Sequence, residues 1–163
     1  MPIRAYSPAD LPALAEINAV STPGVSDESE ESLGALLEMG RCLVATDSAD
    51  TPRGFINLIE PGTNAYPSKN LRWFERWQAD HMTSLLYVDR IAVAAATRGQ
   101  RLGEALYQAA FAQAAGRDWL TCEVNVDPPN PGSHRFHKRM GFERVGEVRY
   151  APDYAVAYYA RPV

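Results

Sequence analysis

Arg98-Gly99-Gln100-Arg101-Leu102-Gly103 joins an apolar, strand-like run (Leu85–Val93) to a strongly helical one that begins at Leu102. A strand-to-helix turn with two glycines leaves several backbone N–H groups unpaired and directed into one small volume. The positive end of the helix dipole adds to the same spot, so the loop is expected to attract a phosphate or pyrophosphate. Short glycine-bearing turns are common, and the loop gains weight only from a second stretch further on. That stretch is Asn130-Pro131-Gly132-Ser133-His134-Arg135-Phe136-His137-Lys138-Arg139-Met140-Gly141-Phe142. Within it Asn130 reads as a helix N-cap, and Gly141-Phe142 as a helix stop followed by an apolar residue turned into the core.

Working outward from the loop, periodicity predicts strands at residues 3–6, 42–46, 54–59, 85–93, 119–126, 143–150 and 154–161. Helices are expected after Ser7-Pro8, at 29–39, at 102–115 and at 133–140. The strand–helix–strand unit across 85–126 makes its two strands parallel by a right-handed crossover, and the remaining strands look antiparallel. Residues 63–83 are the least regular. Trp73 and Trp77 share a helix face there, compatible with a surface helix capping the core or with a wall on the substrate side.

A chain of 163 residues, 46% hydrophobic and 22% charged, is expected to form a single domain over 1–163. Its net charge of −4 argues against a general nucleic-acid binder. The apolar runs are too short to span a bilayer and the N-terminus has no signal-like stretch, so no membrane partner and a cytoplasmic location are expected. Cys42 and Cys122 lie in strand-like runs and read as buried, reduced thiols. His81, His134 and His137 have no partners at zinc-like intervals, so no metal is expected.

The two motifs together resemble the acyl-CoA binding core of the GNAT (GCN5-related N-acetyltransferase) superfamily. Its loop pattern is Gln/Arg-x-x-Gly-x-Gly/Ala. Arg98, Leu102 and Gly103 fit, whereas Arg101 stands where the first glycine usually lies. The second family pattern, Asn-x-x-Ala/Ser-x-x-Phe/Leu-Tyr-x-Lys-x-Gly-Phe, is met by Asn130, Ser133, Phe136, Arg139, Gly141 and Phe142. His137 replaces its tyrosine. Further stretches, among them Asn70-Leu71-Arg72-Trp73-Phe74, Tyr87-Val88-Asp89-Arg90 and Cys122-Glu123-Val124-Asn125, resemble one branch of predicted acetyltransferases.

The resemblance implies an α/β (α+β) fold: a mixed, mostly antiparallel sheet of six to seven strands, its parallel central strands splayed at one end, with helices on both faces. It implies acetyl-CoA as acyl donor and a primary amine of a small molecule or peptide as acceptor, joined by direct attack in a ternary complex. Ile91, Ala92 and Val93 would pair with the pantetheine arm, and Arg98, Gly99, Gln100, Arg101, Leu102, Gly103 and Glu104 would hold the diphosphate. Asn130, Ser133 and His137 would complete the coenzyme site. A backbone N–H near Val93 would face the developing oxyanion.

Asp89 is the first candidate for the general base and Glu123 the alternative. Asp89 and Arg90 also fit a scaffold role, and strand alternation would send them to different partners. His137 would protonate the leaving thiolate near its ordinary pKa of ~6.5, or merely pack on the coenzyme, with Tyr107 or Tyr87 as substitutes. A non-catalytic acyl-CoA-binding regulatory module is the alternative function, and Arg101 and His137 are the departures that favour it. A P-loop nucleotide site lacks its Gly-Lys-Ser/Thr ending. A homodimer is compatible with the family.

Overall fold

The strand Leu85–Val93 forms where the sequence predicts it and divides a seven-stranded sheet. A computed structural model describes all of residues 1–163. In chain order the elements are β1 (Ile3–Ala5), α1 (Leu11–Val20), α2 (Glu30–Glu38), β2 (Arg41–Thr46), β3 (Pro52–Ile59), α3 (Lys69–Asp80) and β4 (Leu85–Val93). They continue with α4 (Leu102–Gln113), β5 (Trp119–Asp127), α5 (Pro131–Arg139), β6 (Glu143–Ala151) and β7 (Tyr154–Pro162). The sheet order is β1-β2-β3-β4-β5-β7-β6, and every pairing is antiparallel except β4 with β5.

Helices cover both faces because the central strands are apolar on both. Phe55 through Ile59 are buried without interruption. On one face α1, α2 and α3 bring Leu14, Leu33, Leu37, Leu71 and Phe74 against Phe55, Ile59 and Tyr87. On the other, Leu102, Leu106, Tyr107 and Ala110 of α4 meet Ile56, Leu58, Leu86, Leu120 and Tyr159, with Phe136 and Met140 packed alongside. Cys42 and Cys122 are both buried and unpaired.

The parallel pair joins for only three residues, Leu85 to Trp119, Leu86 to Leu120 and Tyr87 to Thr121. Beyond them the strands separate. The cause lies on the opposite edge of β4. Its ladder with β3 runs from Arg90 opposite Asn57 to Val88 opposite Leu58, which leaves Asp89 as an extra, unpaired residue. Such a bulge bends its strand and steepens the local twist, so β4 follows β3 away from β5, while β5 follows β7 along its length.

The same bulge overturns the expected alternation of Asp89 and Arg90. Both side chains lie on the α1/α3 face, where Arg90 Nε donates to Asp89 Oδ2 at 2.8 Å. They are partners rather than neighbours with separate roles.

Within residues 63–83, helix α3 forms the surface helix capping the core that one of the two readings expected. Ser68 caps it, accepting from Leu71 N at 3.1 Å, and Leu71 and Phe74 enter the core. Trp73 stacks on Tyr158 with ring centroids 4.0 Å apart. A Cβ at Gly146 would lie 2.5 Å from the Trp73 ring. The ring is sandwiched and cannot retreat, so Gly146→Ala is expected to cost about 1–3 kcal/mol, read as a lower Tm. No helix is long and apolar enough to cross a membrane.

Candidate active site

Two cavities open where β4 and β5 part, and Ile91 lines both. The first, about 550 Å³, runs along the end of β4 to the start of α4. Ile91, Ala92, Val93, Arg98, Gly99, Arg101, Leu102, Gly103 and Glu104 line it, as the sequence predicts, together with Phe136 and Arg139 from α5. Gln100 does not reach it. Asn130, Ser133 and His137 line the second cavity instead.

Backbone parity decides which groups of β4 point into the opening. Ala94 N donates to Arg53 O at 2.7 Å, and Gly54 faces Val93 across the ladder. Hydrogen-bonded and non-bonded pairs alternate along an antiparallel ladder. Ala92 therefore directs its polar groups at β3, while Ile91 and Val93 direct theirs into the gap. Of the three expected pairing residues, two are free to pair.

The turn preceding α4 adopts the geometry a glycine would supply, with an arginine in its place. Arg101 has φ 59° and ψ 25°, a left-handed conformation that costs a non-glycine residue about 1–2 kcal/mol. Its side chain is 80% exposed and its Nε bonds Glu104 at 3.0 Å. Arg98 and Arg139 add two more cations to the same cavity wall.

The second cavity, about 660 Å³, passes between the strands to the α1/α3 face. Asp89, the first candidate base, is fully engaged there. Its side chain is 1% exposed, and it accepts from Arg90 Nε, from Asn57 Nδ2 at 3.2 Å and from the Tyr66 hydroxyl. Arg90, 3% exposed, spends its remaining N–H groups on Asn18 Oδ1, Ser26 O and Ser26 Oγ, with Glu28 at 3.7 Å. From the other arm of the gap, Asn125 Nδ2 donates to Pro23 O at 2.9 Å. The segment 21–26 is thus a strap fastened to both strands across the opening.

Glu123 is in a different state. It has no cationic partner. Its carboxylate accepts from Tyr87 O–H at 2.7 Å and Asn70 Nδ2 at 3.1 Å, on the same face as Asp89. Burial in the cavity wall pushes its pKa up to about 8; the two donors oppose that rise and the Asp89 charge adds to it.

His137 differs from the sequence expectation of a group titrating near neutrality. It is buried, and loss of solvent pushes its pKa down to about 4. Nδ1 lies 2.8 Å from Ser133 O, which only accepts, so Nδ1 carries the proton. Nε2 then accepts from the Tyr107 hydroxyl at 2.7 Å. In this state the imidazole has no N–H to offer the gap. Asn130 serves as the α5 N-cap, accepting from Ser133 N at 3.4 Å. No group of three or more His, Cys, Asp or Glu side chains is arranged to hold a metal.

Sequence reasoning singled out Asp89, Glu123, Tyr107 and His137 but did not foresee the contacts that Tyr66 and Asn70 make or the fastening of segment 21–26 to both strands. Asn18 carried a usable signal, as an amide on the apolar face of α1 that needs a buried partner.

No curated protein matches the chain. Solved structures similar across its whole length include a ribosomal-protein-alanine N-acetyltransferase from Brucella melitensis (TM-score 0.71, 20% identity, all of both chains covered). Ard1 from Thermoplasma volcanium is similar at TM-score 0.73 and 20% identity, covering 99% of this chain and 97% of that one. A GCN5-related N-acetyltransferase from Kribbella flavida is similar at TM-score 0.72 and 22% identity, with the same coverage. These likenesses establish the fold. Residues 11–142 match the model of the acetyltransferase (GNAT) family, and the chain belongs to that family.

Proposed function

We propose that this acetyltransferase moves an acetyl group from acetyl-CoA to a primary amine by direct attack in a ternary complex. The observation that carries the reading is the meeting of the two cavities at Ile91, in a gap lined by unpaired backbone groups. The pantetheine arm lies in that gap as a surrogate strand, bonded to Ile91 and Val93. Its diphosphate meets the 98–103 loop, where the α4 N-terminus and Arg98, Arg101 and Arg139 supply positive charge. The thioester then sits where the gap opens toward Glu123.

Glu123, rather than Asp89, is the base in this reading. An alkylammonium has a pKa of ~10, and an ordinary carboxylate near ~4.3 would accept its proton at a cost of roughly 8 kcal/mol. With Glu123 raised to about 8, the gap shrinks to about 2 units, or roughly 3 kcal/mol. The freed amine attacks the thioester carbon, and the C–S bond breaks as the tetrahedral intermediate collapses. Tyr107 delivers a proton to the departing sulfur. Its O–H turns from His137 Nε2 to do so, and the second proton of the attacking nitrogen, which must leave as the amide forms, returns to the Tyr107 oxygen. Tyr107→Phe is expected to lower kcat by about 10-fold or more, with KM for acetyl-CoA little changed.

Arg101→Gly separates charge from backbone geometry. The substitution removes the left-handed penalty and one cation, so Tm should hold or rise while coenzyme A binds several-fold more weakly, most visibly at low salt. The reaction itself is tested with acetyl-CoA and a panel of amines, followed by release of free thiol. Thiol release with at least one amine supports the reading. Coenzyme binding without release for any amine would favour a non-catalytic binding module.

A further inference from the structure

Behind Glu123 runs a line of hydrogen bonds that leads out of the cavity. Asn70 Nδ2 donates to Glu123 Oε1, Tyr158 O–H donates to Asn70 Oδ1 at 2.8 Å, and the Tyr150 and Tyr158 oxygens lie 2.5 Å apart. A hydroxyl has one proton to give. Tyr158 spends its proton on Asn70, so Tyr150 must be the donor to Tyr158. At the outer end the Lys69 ammonium lies 5.3 Å from the centre of the Tyr150 ring, which draws electron density from that ring and strengthens its O–H as a donor.

The line has a direction, and the direction has a consequence. Asn70 can present either its N–H or its C=O to Glu123. An N–H favours the carboxylate; a C=O is satisfied only by the protonated acid. We propose that Tyr158, with Tyr150 behind it, is a positioning residue that holds the Asn70 amide with its N–H toward Glu123 and so favours the ionised base. This rests on the reading of Glu123 as the proton acceptor.

The other groups around Glu123 leave the Oδ1 end of Asn70 to Tyr158. Tyr87 on β4 donates to the second carboxylate oxygen and has no part in orienting Asn70. Asp89, from the same strand, raises the Glu123 pKa, and Arg90 is committed to Asp89 and the strap. Tyr66 donates to Asp89. Tyr154, on β7, also accepts from the Asn70 amide N–H, which leaves the Oδ1 end to Tyr158; Tyr154, Tyr107 and Cys122 are all held neutral by burial. The tyrosine line is what engages the Oδ1 end of the amide and so turns that end away from Glu123.

The test is a direct titration of Glu123 by carbon NMR on protein labelled at the glutamate carboxyl, with its resonance assigned by its loss in Glu123→Gln. Tyr158→Phe keeps the ring that stacks on Trp73 and removes only the O–H. Its Glu123 midpoint should rise by about one pH unit, and the pH at which kcat/KM rises should move with it. Tyr150→Phe, at the half-buried end, should shift the midpoint less and in the same direction. An unmoved or lowered midpoint in both variants would overturn the proposal. A raised midpoint with an unmoved rate profile would uphold the tyrosine line and instead remove Glu123 from proton transfer.

Discussion

Glu123→Gln should lower kcat/KM by about 10²–10⁴-fold, the usual range for loss of a positioned proton acceptor. The pH dependence is the sharper signature. Glu123 acts only when ionised, and burial holds its pKa at about 8, so activity should rise as pH climbs through that value. In Glu123→Gln that rise should vanish, leaving the later one set by the amine itself near ~10. The same raised pKa makes the ionised residue a stability cost. The folded state binds more protons than the unfolded chain between the unfolded value near ~4.3 and about 8, so stability falls across that window as pH rises. Glu123→Gln should therefore unfold at a higher temperature than the parent at pH 9, by about 2–4 °C for each kcal/mol relieved. A variant with unchanged rate would return the base role to Asp89.

Arg90→Leu should destabilise the protein by about 3–5 kcal/mol, because it strands the Asp89 carboxylate without its cation. Asp89 is almost wholly enclosed, and Arg90 also fastens the strap through Asn18, Ser26 and Glu28. The loss corresponds to a fall in Tm of about 6–20 °C. Replacing Asp89 as well, in Arg90→Leu/Asp89→Leu, should restore part of it, since no charge is then left buried and unpaired. A loss below about 1 kcal/mol in the single variant would mean that the pair behaves like a surface ion pair, and the scaffold reading of Asp89 would fail. The two experiments divide the carboxylates cleanly: one is expected to carry proton transfer and the other to hold β4 to the strap.

Much of this architecture is legible in the sequence. β4 and the start of α4 are marked by an apolar run and then by glycines at the turn, so their boundaries fall where local chemistry places them. The cavity at the 98–103 loop is equally local. What the sequence hides is non-local. Alternation of side chains presumes an unbroken ladder, and the bulge at Asp89 breaks it through a mismatch with β3 that β4 alone does not encode. The strap depends on Arg90 meeting Ser26 and Asn125 meeting Pro23, contacts that span 64 and 102 residues. Tyr158 and Asn70 lie 88 residues apart. His137 is legible as a departure from the family pattern, but its lowered pKa follows from enclosure by Tyr107, Phe136 and Phe142, which only the folded chain assembles.

Backbone amide exchange along β4, with and without acetyl-CoA, tests the central claim most directly. Ile91 and Val93 point into the gap and should slow when the coenzyme pairs with them, while Ala92, already bonded to β3, should exchange at its former rate. Coenzyme binding that leaves Ile91 and Val93 exchanging as in the free protein would contradict the account.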